Sequence, residues 1–279
     1  KSRIIGLVVA YLDNYFYPAA LEGLSNSLKK EGYHVLVFMA SNDDQSTEEV
    51  IQELLDYQVD GIITASVSIS NDLTARCEAA GVPVVLFNRT QDKATHSAVT
   101  SDNVEGGKTA AKFLCQAGHK RIAYIGGWAG ASTQRDREAG FRMGLKNFGK
   151  SLFAHALGNF STEIAKAVTR EMFAGIQKPD AIFVATDHMA FAVIDVLRAE
   201  LNLVIPNDVS IVGYDDSPPA SWAAYNLTTL RQRSNLMVDQ TVRLMIEKIQ
   251  DPKSLSRHIK IPSPLIVRGS SRTPERWNT

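Results

Sequence analysis

GHKRIAYIGG, residues 118–127, lies where one helical pattern stops and a fresh strand begins, and its reading decides the fold. The apolar period around 104–116 runs into Gly118, a residue that takes positive φ without steric penalty and so ends a helix. RIAYIGG (121–127) then reads as a short buried strand closed by a glycine pair. A strand restarting in mid-chain, directly after a helix, predicts a second series of βα units.

Working outward, the first series precedes this point. IIGLVVA (4–10) is followed by Leu21, Leu24 and Leu28 at helical spacing, then HVLVFMA (34–40). Val50, Ile51, Leu54 and Leu55 share one helical face, and DGIITAS (60–66), a helix near 71–80 and VPVVLFN (82–88) complete four units. Gly32, Gly61 and Gly81 fall between helix and strand, where positive φ is expected. The polar stretch Arg89–Thr100 reads as irregular. The second series continues through a helix at 134–148, a weak strand at 152–157, a helix at 162–174, DAIFVAT (180–186), a helix at 188–200 and VSIVGYD (209–215). A helix at 235–249 and strands at 258–262 and 264–268 close the chain, each strand expected to complete a different lobe. The predicted class is α/β: two tandem doubly wound parallel-sheet, Rossmann-like lobes.

Composition bounds the partners. The 279 residues suit two lobes with a core each. Lys plus Arg and Asp plus Glu both total 30, so the summed charge gives this chain no general attraction for DNA or anionic lipid. Cys77 and Cys115, each in a helical pattern, read as core thiols of a protein from a reducing compartment. No stretch approaches the roughly 20 apolar residues of a membrane span, and KSRIIGLVVAYLDN does not read as an export signal. A soluble, cytoplasmic protein is expected. Lys1 opens almost directly on a strand, which reads as a piece of something longer.

In open parallel sheets, ligands bind beyond the carboxyl ends of the strands. The loops there are LDNYFYP (12–18), NR (88–89), SDN (101–103), GGWAGASTQRDREAG (126–140), TDHMA (186–190) and GYDDSPP (213–219). Enzyme readings find little support. The glycine pairs at 106–107 and 126–127 lack either nucleotide-loop pattern, no G-x-S-x-G elbow occurs, and the six histidines have no metal-ligand spacing. No catalytic residue, metal or cofactor is expected. The loops suit a polyhydroxylated small molecule: Asp215 to accept hydroxyl hydrogens, Arg137 or Arg89 to donate in a planar fork, Phe16 or Phe160 to cover a C–H face. Asp215 and Asp216, adjacent after a strand, are expected to point apart.

NYFYPAALEGL, VPVVLFNR, SDNVEGGKTAAKFL, AGHKRIAYIGG, RDREAGFRMGL, PDAIFVATDHMAFAVIDVLR, IPNDVSIVGYDD, LTTLRQ and LIVRGSS occur in this order. Together they resemble the ligand-binding region of LacI/GalR-family bacterial transcriptional regulators, over essentially the whole chain. The resemblance implies a type I periplasmic-binding-protein fold with three hinge crossovers, residues 1–103 with 232–262 forming one lobe and 104–231 with 263–279 the other. It further implies an effector, a sugar or sugar derivative, in the interlobe cleft, a homodimer, and operator DNA bound only through an N-terminal helix-turn-helix headpiece absent from this chain. Carried over by motif, the effector-binding positions are Asn14, Phe16, Tyr17, Arg89, Asp102, Arg137, Phe160, Thr186, Asp215 and Gln232. Two depart from the family pattern: Thr186 stands where Asn is usual and Asn88 where Asp is frequent. A periplasmic sugar-binding protein of a transport system is the alternative, sharing fold and ligand residues but expected as an exported monomer.

Overall fold

Each short β-branched run pairs with the next across a crossover helix, because a strand buried on both faces needs helices above and below it. In the computed structural model, which describes residues 2–41, 44–91 and 96–277, this gives two six-stranded sheets. By contacts the chain divides into two units, Lys1–Ser101 with Arg233–Ile261 and Asp102–Gln232 with Pro262–Thr279.

The first unit holds β1 (Ile4–Val9), β2 (His34–Met39), β3 (Gly61–Ala65), β4 (Val84–Phe87), β5 (Ser97–Ser101) and β11 (His258–Ile261), in the order β11-β5-β4-β3-β1-β2 and all parallel. Its helices are α1 (Phe16–Lys30), α2 (Asp44–Asp56), α3 (Asn71–Ala79) and α8 (Ser234–Gln250). α1 buries Phe16, Ala20, Leu24 and Leu28, four positions at intervals of four, against a core shared with Met237, Val238 and Met245 of α8.

The second unit holds β6 (Ile122–Gly126), β7 (Ala154–Leu157), β8 (Ala181–Val184), β9 (Ser210–Asp215), β10 (Thr228–Arg231) and β12 (Leu265–Ile266), in the order β12-β10-β9-β8-β6-β7, antiparallel only at β12. Its helices are α4 (Asn103–Gln116), α5 (Ser132–Asn147), α6 (Thr162–Met172) and α7 (Asp187–Asp195). α7 runs on into a widened turn, in which Leu201 N–H bonds to the Val196 carbonyl, five residues back. Two sheets of this α/β kind are the two-lobed, type I periplasmic-binding-protein-like fold the sequence predicts.

Three local readings change. The polar stretch ending at Thr100 contains β5, fully buried because β4 and β11 flank it on both edges. LTTL carries β10, an unexpected strand. Gly32 and Gly81 do take positive φ, but Gly61 opens β3, and its missing side chain makes room for Met245, whose sulfur would lie 2.4 Å from a Cβ. Gly106 and Gly107 lie, as the apolar period around 104–116 predicts, within a helix: a Cβ at Gly106 would stand 2.7 Å from the Tyr214 hydroxyl, and Gly107 lets α4 meet α5 at backbone distance, with the Arg137 carbonyl oxygen 2.3 Å from where its Cβ would be.

The opening stretch is held by one carboxylate. Asp180, at the entry to β8, accepts from the Lys120 and Arg121 N–H groups at 3.0 and 3.1 Å, and its Oδ1 lies 3.4 Å from His119 Nδ1. Arg272 Nη2 donates to that nitrogen at 2.7 Å, and the ring is fully buried. Burial first, then the Arg272 charge, lowers the His119 pKa from 6.5 to about 4.

Two predictions follow from this packing. A Cβ at Gly140 would stand 1.9 Å from the Val104 carbonyl oxygen, backbone against backbone, so Gly140→Ala should cost about 1–3 kcal/mol in denaturant unfolding. His119 is neutral in the native state while the unfolded chain takes up its proton near pH 6.5, so stability should fall as pH drops from 6.5 toward 4. His119→Gln should flatten that part of the stability–pH curve, as urea midpoints at each pH would show.

Candidate functional site

The site is built on the carboxyl edge of the second unit's sheet. Chain order reverses where β6 lies between β7 and β8, and the loops that leave a sheet at such a point diverge and open a crevice. Arg137, on α5, reaches this edge. It is 2% exposed, a guanidinium carried into the interior, and burial of a permanent charge demands partners. Nε donates to Asn103 Oδ1 at 2.8 Å and Nη1 to the Ala185 carbonyl at 2.6 Å. The guanidinium carbon lies 3.7 Å from the centre of the Tyr214 ring, and Nη1 lies 3.9 Å from Asp215 Oδ1. Nη2 is buried without a hydrogen-bond partner among the described residues.

Asp215 ends β9 with φ +127°, and Asp216 follows at +56°, two successive residues in the left-handed region. The turn sends their side chains apart, as the sequence suggests. Asp215 Oδ1 accepts from Gln232 Nε2 at 2.8 Å, just past β10, whereas Asp216 faces Arg231 and Arg268 at 2.6 and 2.7 Å. Thr186 sits at the amino end of α7, 3% exposed, its hydroxyl oxygen also lacking a partner among the described residues. Asp102 caps α4 by accepting from Glu105 N–H at 3.3 Å. Phe160, 9% exposed, follows β7, its ring pressed on Gly127, where a Cβ would be 2.1 Å away.

The first unit's residues fall on the carboxyl edge of its own sheet. Asn14 Oδ1 accepts from the Phe16 N–H at 3.0 Å and turns the chain into α1. Phe16 stacks on Phe87 at 5.9 Å, and Tyr17 accepts from Asn88 Nδ2 at 2.9 Å through its hydroxyl. Both rings belong to the buried core of this unit, and the exposed aromatic of this loop is Tyr15, 48% accessible. Arg89 is buried directly after β4, next to Asn88 at φ +67°.

The structure thus groups Arg137, Asp215, Gln232 and Thr186 with Phe160 on one edge and Asn14, Phe16, Tyr17 and Arg89 on the other unit's edge. Sequence reading passed over Asn103, Tyr214 and above all Asp187. This fully buried carboxylate accepts from Thr229 Oγ1 at 2.6 Å, Ser217 N–H at 2.8 Å and Ser217 Oγ at 3.0 Å, tying together the ends of β8, β9 and β10. Burial, then the nearby Asp215 charge, pushes its pKa well up, against the pull of those three donors. Chemically, the edge presents a cation balanced by carboxylates, with donor and acceptor capacity to spare.

Among the described residues, no cluster of His, Cys, Asp and Glu could hold a metal, and no helix is long and apolar enough to cross a membrane. The family model described as periplasmic binding protein domain matches residues 5–250. The chain is similar to the HTH-type transcriptional repressor PurR of Vibrio vulnificus, 25% identical over 270 residues, which are 96% of this chain and 80% of the repressor. To the ribose operon repressor of Escherichia coli it is 26% identical over 277 residues, 97% of this chain and 83% of that protein. Among solved structures, a transcriptional regulator CelR–cellobiose complex superposes with a TM-score of 0.88 at 28% identity, covering 96% of this chain and 84% of that one. The chain belongs to the periplasmic binding protein domain family, as the effector-binding core of a LacI-type transcriptional regulator.

Proposed function

We propose that this chain senses a small, uncharged, polyhydroxylated effector, a sugar or sugar derivative, and passes that signal to operator DNA through a helix-turn-helix headpiece outside the chain. The carrying observation is Arg137: a buried guanidinium balanced by Asp215, with Nη2 unpartnered among the described residues, as is the Thr186 hydroxyl on the same sheet edge. A ligand hydroxyl satisfies such groups at once, accepting from Nη2 and donating to a carboxylate. Phe160 and Asp102 complete the second unit's set, and Asn14, Phe16, Tyr17 and Arg89 are proposed to serve effector binding from the first. The set binds and does not turn over its ligand. Ribose and cellobiose, carried in the names of a similar repressor and a similar regulator complex, support a sugar as the chemical class of the effector.

Effector binding acts by preference for one of two arrangements, and the shift it causes equals its difference in affinity for them, about 1–3 kcal/mol in typical regulators. Two headpieces on a dimer then match or miss their half-sites. A homodimer is supported by β2, which among the described residues pairs only with β1 and leaves its other edge open, with Val37 and Met39 each about half exposed (51% and 52%). A regulator of DNA works in the cytoplasm. The transport-protein alternative shares the fold, but similarity to repressors along 96–97% of the chain favours the regulator.

Thermal melts against a panel of pentoses, hexoses, their phosphates and purines test the reading, since a ligand that binds the native state raises the melting temperature. Asp215→Asn and Arg137→Ala should each weaken binding of the active compound at least about tenfold, the scale of a lost charge-assisted hydrogen bond, while leaving the unliganded protein folded. Unchanged ligand-induced shifts in both variants would show the site to be elsewhere. Light scattering should find a dimer, and Val37→Glu combined with Met39→Lys should give monomers; a monomeric wild type would favour the transport protein.

A further inference from the structure

His188 and Phe160 belong to different segments that flank the end of β6. His188 lies in the first turn of α7, after β8, and Phe160 in the loop after β7. They meet through one hydrogen bond: His188 Nε2 lies 2.8 Å from the Phe160 carbonyl oxygen. A carbonyl only accepts, so Nε2 carries a proton, and in a neutral ring Nδ1 is then the acceptor. The ring is 4% exposed, and Nδ1 is buried without a partner among the described residues. A buried, unpaired acceptor is unfavourable, so its presence is accounted for by what the other nitrogen does.

What Nε2 does is hold a strained loop. Asn159 and Phe160 stand at φ +53° and +58°, two non-glycine residues running in the left-handed region. On one side Gly158 N–H donates to the Gly126 carbonyl at 2.7 Å; on the other Ser161 caps α6, accepting from Ile164 N–H at 3.3 Å. The conformation turns the Phe160 carbonyl toward α7 and lays the ring on Gly127, at the edge where Arg137 and Asp215 converge. We infer that His188 is a positioning residue for the effector site, setting the Phe160 ring through that residue's carbonyl; this rests on reading Phe160 as an effector contact. His188 touches no effector itself. It makes the aromatic wall of the site rigid, so the ring is in place before a ligand arrives and less ordering is left for binding to supply.

The test has a ligand-free arm and a binding arm. In the folded protein, ¹⁵N spectra of the imidazole should show the Nε2–H tautomer, and His188→Leu should speed amide exchange about tenfold at residues 158–162 with the rest of the second unit unchanged. His188→Gln, which keeps a donor near the Nε2 position, should restore protection. Binding of D-ribose, D-galactose and cellobiose is then measured for wild type, Phe160→Leu, His188→Leu and His188→Gln. The inference expects both Leu variants to weaken the sugar that wild type binds, by about fivefold, and the Gln variant to bind within about twofold of wild type. An Nδ1–H tautomer, or His188→Leu binding like wild type while Phe160→Leu binds weakly, overturns the positioning role and leaves the sensor reading intact. Wild-type affinity in Phe160→Leu, or no binding of any of the three sugars, overturns the reading of the site as a sugar pocket, and the inference falls with it.

Discussion

The second unit is organised around a positive charge that cannot leave. Arg137 is buried, and the surrounding chain must therefore bring oxygen atoms and a ring face to its guanidinium. Asn103 comes from the start of α4, the Ala185 carbonyl from the end of β8, and Asp215 and the Tyr214 ring from β9. Three elements distant in sequence are thus registered against one side chain. The glycine contacts between α4 and α5 serve the same end: with Gly107 and Gly140 the helices meet backbone to backbone, and α5 sits close enough for Arg137 to reach Asn103.

Asp187 is the complementary anchor. Its two oxygens take three hydrogen bonds from Ser217 and Thr229, so the loop after β9 is tied to the start of α7 and to β10. Glycine at 213 is part of this arrangement, since a Cβ there would lie 2.5 Å from Asp187 Oδ1. With its ends clamped, the turn at Asp215–Asp216 holds two residues at positive φ, one carboxylate facing Arg137 and Gln232 and the other facing Arg231 and Arg268. A polar site of this kind is stiff before any ligand arrives.

Much of the architecture is legible in the sequence because it rests on period. The apolar spacing of α1, the runs of β1, β3, β6, β8 and β9, and the restart after Gly118 each follow from burying one face or both. β5 and β10 are not legible this way. Their buried positions include Ser97, Thr100, Ser101, Thr228 and Thr229, hydroxyl residues whose burial is made tolerable by bonds to distant partners: Thr100 to His258, Thr228 to the Arg268 carbonyl and Thr229 to Asp187. Within the site, Asp215 and Arg137 stand out in motif positions. Asp187, Asn103 and His188 do not, since their roles depend on long-range pairings across 42, 34 and 28 residues that no local pattern encodes. The burial of Phe16 and Tyr17 is not legible locally, because aromatic residues in a loop at a helix start look alike whether they face a ligand or the core.

The central claim is that Arg137 keeps one end of its guanidinium for the effector. It is tested most directly by ¹⁵N spectra of the arginine side chains during titration with whichever compound stabilises the protein most. The account predicts that the Arg137 Nη2 resonance moves and its protons slow in exchange, while Nε, already bonded to Asn103, stays in place. A saturating ligand that leaves every Arg137 resonance unmoved would contradict it.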